Sequence, residues 1–131
     1  MITAYIDGGA RGNPGPAGYG VYIVDAQDLP VAKLHGAIGV ATNNVAEYNG
    51  LLAALGWAAD RGHTRVHIKA DSQLLVEQMN GNYRVKNEGL VPLYREALHL
   101  VARIGHVTFE HIPREKNTEA DRLSNLGMDE N

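Results

Sequence analysis

The sequence contains no cysteine. Disulfides, thiolate zinc sites and cysteine nucleophiles are therefore excluded outright. No apolar run approaches the roughly 20 residues of a membrane-spanning helix. The opening residues, Met1-Ile2-Thr3-Ala4-Tyr5, lack the basic stretch and long apolar core of a signal peptide. A cytoplasmic protein with no membrane partner is the expectation. Excess positive charge is absent too: 12 Lys and Arg stand against 15 Asp and Glu, a net charge of −3. That excludes a basic scaffold that holds nucleic acid by bulk attraction alone. Internal repeats, linkers and low-complexity tails are also missing.

What is present is a 131-residue chain, 44% hydrophobic and 21% charged, the proportions of a globular protein. The length suits one domain over residues 1–131, with enough chain for one core. Charge is uneven along it. Residues 1–60 hold only Arg11 and Lys33 as cations, whereas Arg84, Lys86, Arg114, Lys116 and Arg122 recur later, near predicted loops. Cations that line one surface let an acidic protein bind a polyanion. Singly, each reads as the solvated face of a helix.

Periodicity sets the elements. Thr3–Ile6 reads as a strand ending at Asp7, and the Gly- and Pro-dense stretch Gly8–Gly18 reads as a turn. Tyr19–Val24 and Val31–Ile38 read as two more strands, which makes an antiparallel meander. Val45, Tyr48, Leu52, Leu55 and Ala59 then step by three and four, the mark of an amphipathic helix. Thr42, Asn43 or Asn44 can cap it, with Glu47 in its first turn. A strand over Val66–Ala70 ends at Asp71. Short helices follow over Ser72–Met79 and from Val91 to Val101, then a strand over Val107–Ile112 and a helix over Asn117–Leu126. The order β-β-β-α-β-α-α-β-α predicts an α/β fold. Its sheet is mixed and five-stranded, with three antiparallel strands followed by parallel ones, and helices flank it.

Four acids stand out. Asp7 and Asp71 each end a strand, and ligands collect at the carboxyl ends of strands in open α/β sheets. Parallel neighbouring strands would bring the two carboxylates within a few Å, where they repel unless a proton or a cation intervenes. Hard oxygen ligands suit Mg²⁺ or Mn²⁺. Glu47 and Asp121 open helices that can aim at the same rim. Singly, each acid has an ordinary role as turn former, helix cap or surface charge. Together they point to one site.

These segments resemble type 1 ribonuclease H. The matching stretches are Tyr5–Gly20, Thr42–Tyr48, Ala70–Gln73 and Pro113–Asp121, in an order and spacing that cover nearly the whole chain. The resemblance implies an endonuclease that hydrolyses the RNA strand of an RNA/DNA hybrid and leaves 5′-phosphate and 3′-hydroxyl ends. It implies two Mg²⁺ or Mn²⁺ ions held by Asp7, Glu47, Asp71 and Asp121. Asp7 would bridge both ions, Asp121 would serve the nucleophile side, and Glu47 and Asp71 would hold the other ion. Gly8, Asn13, Asn44 and Gln73 match positions that read ribose 2′-hydroxyls, which only RNA offers. Asn13 and Asn43 match positions near the DNA strand. Thr42 and Asn44 match a pocket for a DNA phosphate at a helix N-terminus.

Two departures from the family follow. Residues 82–89 are too short for the basic protrusion of many bacterial members, which leaves Tyr83, Arg84 and Lys86 as weaker substrate contacts. The loop before the last acid lacks the family's histidine, and Arg114 stands in as a cation that cannot act as a base. A monomer with no obligate protein partner is expected. Three alternatives remain: a non-catalytic binding module on this fold, a nuclease for other substrates, and a phosphate cradle in the Gly-rich stretch. The first is opposed by the presence of all four acids. The second is opposed by the 2′-hydroxyl-reading set, though double-stranded RNA stays open. The third lacks the Gly-Lys-Ser/Thr ending and a following helix.

Overall fold

The computed structural model describes residues 1–131. Three strands, β1 (Ile2–Ala10), β2 (Gly15–Val24) and β3 (Pro30–Ala41), precede the helix α1 (Asn43–Asp60). Then come β4 (Arg65–Ala70), α2 (Gln73–Met79), α3 (Val91–Ile104), β5 (His106–His111), a 3₁₀ turn at Arg114–Lys116, and α4 (Thr118–Asp129). The sheet order is β3-β2-β1-β4-β5. The first three strands pair antiparallel, and β1, β4 and β5 run parallel. This is the mixed five-stranded sheet that the sequence predicts.

Alternation in β1 decides which face is covered by what. Ile2, Ala4 and Ile6 are buried and pack with Val21, Ile23, Val66 and Ile68 beneath Leu51 and Leu55 of α1. Thr3, Tyr5 and Asp7 therefore point to the opposite face, as successive strand residues must. That face carries α4, which seats on β2. Glycine makes the seat possible. A Cβ on Gly20 would stand 2.4 Å from the Ala120 carbonyl oxygen and the Ser124 nitrogen. On the other face, a Cβ on Gly8 would stand 2.3 Å from the Ala46 carbonyl carbon of α1. Each helix thus lies directly on strand backbone, one above and one below.

The expected Gly8–Gly18 turn is mostly strand. β1 continues through Asp7 to Ala10 and β2 starts at Gly15, so only four residues form the connection. Asp7 consequently sits inside β1. It still lies at the end of β1's ladder with β4, whose last pair is Ile6 with Ala70. Glu47 is likewise one turn deeper than expected, because α1 already begins at Asn43 and its first turn holds no acid. The cap is Thr42, whose hydroxyl accepts the Val45 N–H at 3.2 Å.

Gly20→Ala is expected to destabilise the fold by about 1–3 kcal/mol, because it forces backbone apart in a packed layer. Urea denaturation of the two proteins measures this. A variant as stable as the parent would show that α4 does not need its close seat.

Candidate active site

β1 and β4 run parallel, and strands so paired lie about 4.8 Å apart. One step beyond the Ile6–Ala70 pair stand Asp7 and Asp71, side by side. Ser72 then caps α2, with its hydroxyl accepting the Leu75 N–H at 3.2 Å. α1 crosses Gly8 closely enough to bring Glu47 over the end of the sheet, where it meets Ser72 and Asp71. α4 brings Asp121 to Asp7 from the other side. All four acids line one open cleft of about 460 Å³, together with Gly8, Asn43 and Arg114.

As they are placed, no three of these acids share a single ligating point. They line the cleft without forming a ready-made cage, so ligation of an ion requires their side chains to turn inward. The donor set itself fits hard divalent cations: every donor is an oxygen and all four are carboxylates. Two of the four, Asp7 and Glu47, hold their protons to higher pH than usual. Burial and then the neighbouring Asp71 push Asp7 up to about 8, against the N–H of Gly8, which favours its charged form. Burial pushes Glu47 up to about 7, against the opposing hydroxyl of Ser72.

Arg114 lies on the 3₁₀ turn, with its guanidinium 3.8 Å from the Asp121 carboxylate and its side chain 82% exposed. Asn43 is built into the cleft wall. Its side-chain oxygen accepts the Ala10 N–H at 2.8 Å, and its own N–H donates to Asn13 at 3.1 Å. Asn13 thus reaches the site through Asn43. Thr42 and Asn44 stand at the α1 N-terminus outside the cleft lining, and exposed Gln73 opens α2. Tyr83 and Arg84 do not join this group. They line a separate groove against Tyr94, Arg95 and Leu98 of α3. Lys86 is exposed and borders neither cavity.

Asn117, Ser124 and Ser72 were not singled out by the sequence. Asn117 is fully buried, and its amide donates to the Ile6 carbonyl at 2.9 Å and to Asp71 at 3.5 Å. The Ser124 hydroxyl lies 2.9 Å from the Asp121 carbonyl, to which it donates, and 3.4 Å from the Asp7 carboxylate. Their separation in sequence hid them. The one available signal was a small polar residue three positions after Asp121 on a face that otherwise holds Ala120, Leu123 and Gly127.

The raised carboxyls have a consequence for stability. The ordinary values are 3.8 for Asp7 and 4.5 for Glu47, and the folded chain keeps both protons to higher pH. Between about pH 4 and about pH 8 the folded state therefore binds more protons than the unfolded state, so stability falls as pH rises. Metal-free protein is expected to lose melting temperature across that window. Asp7→Asn flattens the loss and melts higher than the parent at the alkaline end. Thermal unfolding in chelator reads both, and a parent that gains stability with pH would refute the assignment.

A family model described as reverse transcriptase-like matches residues 5–127. A bifunctional protein of Mycobacterium tuberculosis is 49% identical over 98% of this chain, which spans 35% of that protein. Ribonuclease HI of Halobacterium salinarum is 39% identical over 98% of this chain, which spans 65% of it. This chain thus spans about a third to two thirds of these relatives' length. Among solved structures, LC11-RNase H1 in complex with an RNA/DNA hybrid is 42% identical, with a TM-score of 0.94 over 99% of this chain and 98% of that one. With this sheet order, and with the quartet of acids on the matched stretches, the chain belongs to the type 1 ribonuclease H family.

Proposed function

We propose that residues 1–131 act as a single catalytic domain that hydrolyses the RNA strand of RNA/DNA hybrids, leaving 5′-phosphate and 3′-hydroxyl ends. One observation carries this reading: Asp7, Glu47, Asp71 and Asp121, from four separate elements, line one cleft. LC11-RNase H1 is in complex with an RNA/DNA hybrid, which supports the choice of a hybrid here.

Two Mg²⁺ or Mn²⁺ ions fit the charge of the site. Asp7, between Asp71 on one side and Asp121 on the other, would help hold both. Glu47 and Asp71 would complete one position and Asp121 the other. Bound there, such ions would lower the pKa of the attacking water and offset charge on the attacking and leaving oxygens.

The chain's own groups do the rest. Arg114 stays protonated, so it holds a phosphate electrostatically and takes no proton. The Asn43 link to Ala10 and Asn13 fixes the strand edge beside the acids. Gly8, Asn13, Asn44 and Gln73 would read 2′-hydroxyls, which a DNA strand lacks. Thr42 and Asn44 would seat a DNA phosphate at the α1 N-terminus, where the Asn44 N–H meets no acceptor in the protein and the helix dipole favours anions. Tyr83, Arg84 and Lys86 would add contacts farther along the duplex. No helix is long and apolar enough to cross a membrane. We assign the protein to the cytoplasm, as a monomer without an obligate partner.

Incubation with labelled hybrid, beside duplex DNA and double-stranded RNA, tests the reading. Cleavage is expected of the hybrid RNA strand and not of duplex DNA, and only with Mg²⁺ or Mn²⁺. Asp7→Asn is expected to lower the rate by at least about 100-fold, as loss of several kcal/mol of charge stabilisation requires. A variant that keeps its activity would overturn the role of Asp7. Arg114→Ala is expected to lower kcat more than it raises KM, and a change in KM alone would move Arg114 away from the reacting phosphate. Added salt is expected to weaken hybrid binding, because phosphate contacts release counterions. Affinity indifferent to salt would remove those contacts.

A further inference from the structure

Each of the four acids in the cleft meets a donor from the chain itself. Asp7 has the Gly8 N–H, Glu47 the Ser72 hydroxyl, and Asp121 the Arg114 guanidinium at 3.8 Å. Asp71 makes no ion pair. Its side-chain partner is the Asn117 amide, which donates to Oδ2 at 3.5 Å. Arg114 is 82% exposed, so water can take its place. Asn117 is 1% exposed, and water has no route to replace it.

The amide has one workable orientation. Its nitrogen donates to the Ile6 carbonyl at 2.9 Å as well as to Asp71. Turned over, it would set its oxygen against two acceptors, and both hydrogen bonds would be lost. The orientation leaves Oδ1 buried with no partner. An unpaired buried oxygen costs stability, and an apolar side chain would fill the space without that cost. Packing therefore does not account for Asn117, whereas its two N–H donors do.

The backbone of Asn117 adds a third tie. Its carbonyl accepts the Asp121 N–H at 3.0 Å in the opening turn of α4. One buried residue thus holds the β1 carbonyl before Asp7, the Asp71 carboxylate and the backbone of Asp121. A carboxylate at a strand end is free to turn about its side-chain bonds, and a donor on one oxygen restricts that turn. At 3.5 Å, the long end of a hydrogen bond, the restraint leaves slack for the inward turn that ligation needs. Partners behind a ligand set its orientation and raise its affinity for an ion.

We infer that Asn117 is a positioning residue for Asp71: its buried amide orients the carboxylate to take a divalent cation in the cleft. The inference rests on the ion-binding part of the proposed function. It goes beyond that reading by giving a role to a residue outside the cleft lining.

Mn²⁺ is titrated into the full chain without substrate, well below the melting temperature, and binding is followed by calorimetry. Asn117→Ala and Asn117→Leu, which keeps the branching and drops both donors, are each expected to bind Mn²⁺ about tenfold to 100-fold more weakly. The Mn²⁺ concentration that gives half the maximal rate of hybrid cleavage is expected to rise by the same factor. A lower melting temperature with the parent's Mn²⁺ affinity would show a merely structural role and overturn the inference. A second measurement needs no ion. In chelator, urea unfolding of the parent, Asn117→Ala, Asp71→Ala and the double variant closes a cycle. A departure from additivity of at least about twofold in the unfolding equilibrium constant is expected. Strict additivity would overturn the link to Asp71. A parent that binds no Mn²⁺ would overturn the ion reading and this inference together, whereas a parent and variants that bind it equally would overturn the inference alone. Loss of the fold in both Asn117 variants would overturn it as well, since the amide would then serve the fold and not the ion site.

Discussion

Asp7 cannot carry its charge cheaply in this fold. It is half-buried, stands next to Asp71 in strand register, and receives Asp121 from the opposite side. Near neutral pH its environment favours the proton, and only the Gly8 N–H works for the anion. A proton relieves one charge at one atom. A divalent cation relieves two and can be shared among several oxygens, so it suits a cluster better than protons do. The rest of the site follows from that imbalance. Glu47 joins the same field from α1, and Ser72 partly offsets its burial by donating to it.

Holding such a cluster together needs rigidity from outside it, because the acids repel one another. The sheet and two helices supply it. α1 and α4 press on opposite faces of β1 and β2 at Gly8 and Gly20, positions where any Cβ would strike helix backbone. Close approach shortens the reach of Glu47 and Asp121 to the sheet end. Buried Asn117 ties the opening of α4 to the Ile6 carbonyl and to Asp71. At its far end α4 is fastened by the ion pair of Arg11, just past β1, with Asp129, by the hydrogen bond between His35 of β3 and Glu130, and by the Asn131 amide on the Ala17 carbonyl of β2. The exposed pairs add little stability individually. Their positions at the last turn fix the angle of the helix, and with it the place of Asp121.

The order of elements was legible because hydrophobic spacing switches between two and about three and a half along the chain, as in the helix marked by Tyr48 and Leu55. Asp7, Asp71 and Asp121 were legible because each stands where an element or its ladder ends, whereas Glu47 lies one turn inside α1 and was marked by the resemblance of Thr42–Tyr48. The boundaries misled where glycine had two meanings. Gly8, Gly9, Gly15 and Gly18 read locally as turn residues, yet they lie in strands, and at Gly8 and Gly18 the lost side chain makes room for a helix. Local sequence cannot separate a glycine chosen for φ from one chosen for close approach. Asn117 and Ser124 were illegible for a related reason: their partners Ile6 and Asp7 lie more than a hundred residues away in the chain.

On the proposed function, the short connection between α2 and α3 would change how a duplex is held. With no protrusion to reach outward, Tyr83 and Arg84 fold against α3 and share a groove with Tyr94, Arg95 and Leu98. Neither arginine has a carboxylate partner, so both charges remain free for phosphate. A groove presents its cations in fixed positions, whereas an extended arm surrounds its target. Fewer phosphates would then be neutralised, which would lower both affinity and its sensitivity to salt. On the proposed function, recognition would rest more heavily on groups beside the acids, the Asn43–Asn13 link and the α1 N-terminus, where contacts to sugar and phosphate would lie close to the reacting bond. Discrimination would then be concentrated where a misplaced strand also misplaces the chemistry, so that binding and turnover would select the same substrate.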